Sequence, residues 1–124
     1  MTMNAMWIEI PVTDLTRALH FYQTLFGLPP ASINTDEQRK TATPFHGGEG
    51  RPGITLNQTK NFEPGDKGPL LYFDAGKNLS EYLSRVEPAG GSVITAKTDM
   101  GNGGGFYAML KDTEGNVIAL YSPE

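Results

Sequence analysis

Few side chains in this sequence could do chemistry, and their placement limits what that chemistry could be. There is no cysteine, which removes disulfides, thiol nucleophiles and thiolate metal sites. Of the two histidines, His20 falls on the polar side of a helical stripe and reads as a solvent-exposed residue. His46 precedes a glycine-rich turn at a strand end, where it reads as a surface or rim residue, with metal ligation or proton transfer as the alternative. Ser and Thr are scattered and give neither histidine a nucleophilic partner. Glu9 is the remaining candidate, because period-two alternation places it on one strand face with Trp7. A carboxylate there is costly unless it is paired, hydrogen-bonded or wet. Two readings of Glu9 stand side by side. It is a pocket group, acting as counter-charge for a cationic ligand or as a general base with a raised pKa. Or it is a carboxylate held by a structural partner such as Arg39, Arg51 or Lys97.

The Met100-Gly101-Asn102-Gly103-Gly104-Gly105 stretch has the glycine content of a phosphate loop. No Lys-Ser or Lys-Thr follows it, however, and the next segment is patterned as a strand, so no helix N-terminus faces the loop. It reads instead as a mobile loop at the mouth of a cleft.

These residues sit on elements that come in two similar sets. Asp14-Leu15-Thr16-Arg17-Ala18-Leu19 returns, 64 residues later, as Asn78-Leu79-Ser80-Glu81-Tyr82-Leu83. Each follows a short apolar segment, Trp7 to Val12 and Leu70 to Ala75, and each helical stretch closes on a glycine, Gly27 and Gly91. In the first helix Leu15, Ala18, Leu19, Tyr22, Leu25 and Phe26 form the apolar stripe. Thr13 or Asp14 caps its start, and Gly27 with Pro29-Pro30 ends it. Leu79, Tyr82, Leu83 and Val86 form the second stripe. Strands are expected around Lys40 to Phe45 and Gly53 to Asn57 in the first half. In the second they are expected at Leu70 to Asp74, Ser92 to Lys97, Phe106 to Lys111 and Val117 to Tyr121. The polar, breaker-rich stretch from Gln58 to Pro69 connects the halves. The fold class is therefore α+β: two βαβββ modules in tandem, about 5–58 and about 69–122 of a single domain spanning 1–124, forming a curved mixed sheet around a cleft.

Composition narrows the partners. The 124 residues carry a net charge of −4 and no run of Lys or Arg, so no nucleic-acid face is expected. The acidity favours a neutral or cationic small ligand over an anionic one. The start, Met1-Thr2-Met3-Asn4, lacks the basic and apolar regions of a signal peptide, and the apolar runs are far short of a membrane span. Cytoplasm is the expected compartment, with no membrane partner.

The order of elements, with these motifs, resembles the vicinal oxygen chelate superfamily of glyoxalases, bleomycin-resistance proteins and extradiol dioxygenases. The resemblance is carried by Ile10-Pro11-Val12-Thr13-Asp14, by Ala18-Leu19-His20-Phe21-Tyr22, by Leu25-Phe26-Gly27-Leu28, and by Leu110 to Leu120 with its Asp112-Thr113-Glu114-Gly115-Asn116 turn. It implies a divalent metal held by one side chain from the first and one from the last strand of each module. Counting seven back from Asp14 and from Asn78 puts Trp7 and Leu71 at the first-strand positions. Ala119 and a residue near Ile54 or Thr55 fall at the others. None is a competent ligand, so no cofactor is expected, and a divalent metal is disfavoured.

By parity the cleft face should present Trp7, Glu9, Leu71, Phe73, Val117, Ala119 and Tyr121, with Phe106 close by. Such a lining suits a planar or cationic organic molecule, with Trp7, Glu9, Phe73, Phe106 and Tyr121 as ligand-binding residues. The same aromatics could instead fill the cleft or a dimer interface. The resemblance implies a metal-independent small-molecule binder like the bleomycin-resistance group, forming a homodimer. The alternative is a lyase or isomerase acting on a small carbonyl compound, with Glu9 as base and His46 assisting.

Overall fold

The alternating segment at the start becomes β1 (Trp7–Pro11), followed by α1 (Leu15–Phe26) in a computed structural model that describes Met3–Glu124. Of the N-terminal start read above for a targeting signal, Met1 and Thr2 lie outside the described residues. Asp14 caps α1, its side chain accepting the Arg17 N–H at 3.1 Å. Gly27 ends the helix in the left-handed region at φ 66°, and its N–H closes on the Gln23 carbonyl. The predicted stripe is buried except for Phe26, which is partly buried at the helix end, and Phe21 joins it fully buried. His20 is exposed. Then come β2 (Asn34–Thr35), β3 (Arg39–Phe45) and β4 (Gly53–Thr59). The second set is β5 (Leu71–Asp74), α2 (Ser80–Leu83), β6 (Ser92–Asp99), β7 (Phe106–Lys111) and β8 (Val117–Ser122). Each set runs βαβββ, and the fold is α+β.

Each module forms its own four-stranded mixed sheet, ordered β1-β4-β3-β2 and β5-β8-β7-β6. The first strand of each module pairs parallel with its last and leaves its other edge free. The helix is shorter in the second module. After Leu83 the chain continues as hydrogen-bonded turns, Arg85 to Tyr82 and Val86 to Leu83, before Gly90-Gly91. Leu79 and Val86 are nonetheless fully buried, so the apolar stripe works without a long helix.

One hydrophobic core spans both modules, taking Ile10, Leu56 and Tyr22 from the first and Phe73, Leu110 and Ile118 from the second. Neither half could bury these residues alone. No helix of the described chain is long and apolar enough to cross a membrane.

The repeat carries an offset that the sequence spacing hides. Val12 N–H bonds the Asn57 carbonyl at 3.1 Å, and Ala75 N–H bonds the Tyr121 carbonyl at 2.8 Å. Val12 therefore matches Ala75, 63 residues on, whereas Leu15 matches Leu79, 64 residues on. The link between strand and helix is one residue longer in the second module, and Gly76, at φ 72°, sits in that link. A one-residue change moves every side chain of a strand to the other face. Leu71 and Phe73 consequently point to the core side of β5, and Tyr72 and Asp74 point outward. The expected parity of β5 is thereby corrected.

Candidate functional site

The open face of the first sheet carries the polar candidates. Trp7 and Glu9 stand there beside Gly53 and Thr55, their parallel partners on β4. Trp7 is 55% exposed, with its ring over Gly53. Glu9 accepts from Asn57 Nδ2 at 3.0 Å and from Arg39 Nη1 at 3.5 Å. Arg39 is thus the structural partner among those considered for this carboxylate. The carboxylate also fixes the orientation of the Asn57 amide, whose nitrogen must face it. Thr55 and Thr43 share a hydroxyl hydrogen bond at 2.9 Å on the same face.

Tyr121 stands on the outward face of the second sheet, paired with Asp74 on one side and Tyr107 on the other. It lines a shallow depression with Tyr72, Asp74 and Lys77, apart from Trp7 and Glu9. Phe73 and Phe106 are not on that face. Phe73 is buried in the core. Phe106 shares its parity with the fully buried Ala108 and Leu110 and lies under Lys97 Nζ at 4.7 Å. The five expected ligand-binding residues are therefore distributed over two sheets and both of their faces. Glu9 and His46 line different cavities as well.

A different set of residues converges. Between the modules lies a cavity of about 490 Å³. Phe26 enters it from the last turn of α1, Phe45 from the end of β3, Phe73 from β5 and Tyr82 from α2. Their rings pack together, with centroids 5.1 Å apart for Phe26–Phe73, 5.2 Å for Phe45–Phe73 and 5.6 Å for Phe26–Tyr82. Ile8, Ile54 and Leu71 complete the apolar wall, and His46 and Arg51 stand at the rim. The outer edges of β1 and β5 are not hydrogen-bonded to each other, and Ile8 from one strand and Leu71 from the other face the same space. Such a volume with an apolar wall and few polar groups is the ordinary form of a small-molecule site. Of the expected residues, Leu71, Phe73 and His46 belong to it. Phe26 and Phe45 each precede a glycine-punctuated turn by one or two residues, which is the sequence signal that large apolar side chains end these elements.

A polar cluster outside the cavity also clasps the two modules together. The Glu114 carboxylate, from the β7–β8 turn, accepts the N–H groups of Thr13 and Asp14, both at 2.9 Å, and the Arg17 guanidinium at 2.8 Å. Burial alone would raise its pKa. The Arg17 guanidinium, the Asp14 N–H, the Thr113 hydroxyl and the Thr13 N–H outweigh burial and bring it down to about 2. Asn116 adds a bond from Nδ2 to the Pro11 carbonyl at 2.8 Å. Clasp and cavity both depend on the two modules packing in this one way.

The metal positions implied by the resemblance can now be placed by register. Trp7 lies two residues before Glu9, and Glu9 pairs with Thr55. Tyr72 is the counterpart of Glu9 and pairs with Ala119. The four positions are therefore Trp7, Thr55, Leu70 and Ala119, with Leu70 replacing Leu71. An indole, a hydroxyl already bonded to Thr43, an isobutyl group and a methyl group do not make a divalent-metal donor set. Among the described residues no group of three or more His, Asp or Glu side chains could hold an ion.

Tandem βαβββ modules that share one core and border a cavity at their seam define a two-module α+β fold. The chain belongs to the Glyoxalase/Bleomycin resistance protein/Dioxygenase superfamily, whose model matches residues 5–120. No curated protein matches the chain. Among solved structures, a glyoxylase/bleomycin resistance protein/dioxygenase domain from Frankia sp. EAN1pec is similar, with a TM-score of 0.77 at 15% identity, over 98% of this chain and 93% of that one. The fosfomycin resistance protein FosX from Listeria monocytogenes is similar at 16% identity with a TM-score of 0.75, over 98% of this chain and 94% of that one. A family enzyme from Burkholderia phytofirmans PsJN is similar at 19% identity with a TM-score of 0.69, over 98% of this chain and 100% of that one. At these identities the likeness establishes the fold alone.

Proposed function

We propose that this chain is a metal-independent small-molecule binding protein that takes an organic ligand with an apolar, aromatic body into the cavity between its modules. The observation that supports this most is the convergence of Phe26, Phe45, Phe73 and Tyr82 on about 490 Å³ of space at the module seam. Four rings from four separate elements form a wall on which a planar ligand can stack or pack edge-on. The set Trp7, Thr55, Leu70 and Ala119 supports the metal-independent part, since none of these side chains would replace water on a divalent ion.

The reading includes a homodimer. Trp7 and Tyr72, 55% and 52% exposed on the outward sheet faces, are large side chains that pairing of two copies would cover.

The test is a titration of isotope-labelled protein with 3-phenylpropanol, a neutral probe, followed by amide chemical shifts. Saturable shifts confined to residues around Phe26, Phe45 and Phe73 are expected. Leu28 lines the cavity and is half-buried. Leu28→Trp should fill the space and abolish those shifts in a folded protein. Absence of saturable binding, or binding that survives Leu28→Trp, would remove the proposal.

A further inference from the structure

We infer that the ligand of the seam cavity is an amphipathic anion, a small carboxylic acid whose apolar body lies among the phenylalanines and whose carboxylate is held by Arg51. The inference rests on the cavity being a ligand site and adds the class of ligand.

The chain has four arginines. Three have carboxylate partners: Arg17 with Glu114, Arg39 with Glu9 and Asp36, and Arg85 with Glu81. Arg51 alone makes no ion pair among the described residues, and it stands at the rim of the aromatic cavity. A guanidinium presents a planar fork that matches a carboxylate through two parallel hydrogen bonds.

The backbone under Arg51 is fixed. Arg51 and Gly48 exchange two hydrogen bonds, of 2.9 Å and 3.1 Å, which closes a tight turn. A Cβ at Gly47 would lie 2.6 Å from the Arg51 carbonyl oxygen and 2.7 Å from the Gly53 nitrogen, so only glycine permits this approach. The turn delivers the arginine to the mouth of the cavity as a preorganised group.

One acidic residue, Asp74, also borders the cavity. Its side chain belongs to the outward face of β5, paired in register with Tyr121, and it accepts the Gly76 N–H at 3.0 Å. Its Oδ1 is thus engaged in its own turn, and among the described residues no ion pair joins it to Arg51. His46, next to the same rim, adds a second nitrogen-bearing side chain able to donate to a carboxylate. The acidic net charge of the chain pointed to a neutral or cationic ligand, but the mouth of this cavity holds a guanidinium without a carboxylate partner among the described residues.

The test compares 3-phenylpropanoate, 3-phenylpropanol and 3-phenylpropylamine by calorimetric titration against the unaltered protein, Arg51→Ala and Arg51→Lys. The carboxylate should bind at least about tenfold more tightly than the alcohol, and the amine most weakly. Arg51→Ala should remove that preference while leaving alcohol binding unchanged, because Arg51 is exposed at the rim and the aromatic wall does not include it. Arg51→Lys should retain part of it, as a point charge without the fork. Equal binding of all three probes, or a carboxylate preference that survives Arg51→Ala, overturns this inference and leaves the cavity reading standing. Binding of none overturns both.

Discussion

The Tyr22 phenol on α1 donates to Asp112 Oδ2, in the turn between β7 and β8, at 2.7 Å. The two residues are 90 apart in sequence and both are buried. Asp112 holds its own turn as well, accepting the N–H groups of Glu114 at 2.8 Å and Asn116 at 2.9 Å on Oδ1. One carboxylate therefore shapes the last turn of the second module and anchors the first helix to it. Burial, the nearby Asp112 charge and this hydrogen bond push the Tyr22 phenol well above its usual pKa of 10, so it remains a donor throughout the range in which the protein is used.

Tyr22→Phe removes the donor and keeps the ring in the aromatic core. Asp112 Oδ2 is left with only Asn116 Nδ2, at 3.1 Å. Losing a buried hydrogen bond to a charged group is expected to cost about 1.5–3 kcal/mol. Urea denaturation should show a lower midpoint with an unchanged slope, since the core surface stays the same. An unshifted midpoint would mean the bond adds nothing to module packing.

Glu114 makes the clasp pH-dependent, and the sign follows from its depressed pKa. The usual carboxyl value is 4.5 and the folded value is about 2. Between these values the unfolded chain binds more protons than the folded one, so stability rises with pH across that window. The contribution is complete above about pH 4.5 and is lost as pH falls through about 2. Glu114→Gln should lower stability at neutral pH by about 1–3 kcal/mol and flatten the acid limb of a stability-versus-pH curve. A variant with the same acid limb as the parent would show that other carboxylates carry it.

Gly91 is held by space. A Cβ there would lie 2.5 Å from the Lys111 carbonyl oxygen and 2.7 Å from Phe21 Cε1. The first neighbour is backbone and the second is a fully buried ring, so neither yields cheaply. Gly91→Ala should destabilise by about 1–3 kcal/mol, although alanine usually improves on glycine in an unfolded-chain comparison. A stabilised variant in thermal melts would contradict this packing.

Most elements of the first module were legible because their signals are local; the two-residue β2 (Asn34–Thr35), too short to carry a pattern, was not. Asp14, the six-residue apolar stripe and Gly27 define α1 without reference to anything distant. The second module reads less well for an equally local reason: one extra residue in the link around Gly76 offsets β5 against the repeat, and with it the face assigned to Phe73. Period-two alternation cannot detect such a shift, since Leu71, Tyr72 and Phe73 are all apolar or aromatic. The cavity was hidden more deeply. Phe26, Phe45, Phe73 and Tyr82 meet only after two sheets have packed, and the unpaired state of Arg51 is a property of where every carboxylate ends up. Spacing carries neither fact. The absence of competent ligands at Trp7 and Ala119, by contrast, needed only residue identity.

That last point yields a prediction independent of the cavity. A ligand that binds the folded state alone raises stability by about 2.7 kcal/mol at one hundred times its dissociation constant. Tight divalent-metal binding would therefore appear as a shift of several degrees in thermal midpoint. Trp7, Thr55, Leu70 and Ala119 hold the four positions, and Thr55 Oγ1 is already bonded to Thr43 at 2.9 Å. Zn²⁺, Ni²⁺ or Mn²⁺ added to the purified protein should leave the midpoint unchanged, and equilibrium dialysis should find less than one ion per chain. Glu9 is the nearest carboxylate to these positions along β1, and Asn57 and Arg39 already engage it. Stoichiometric metal that raises the midpoint, and that is lost in Glu9→Gln, would show that Glu9 supplies a ligand the register does not, and the metal-independent reading would fall.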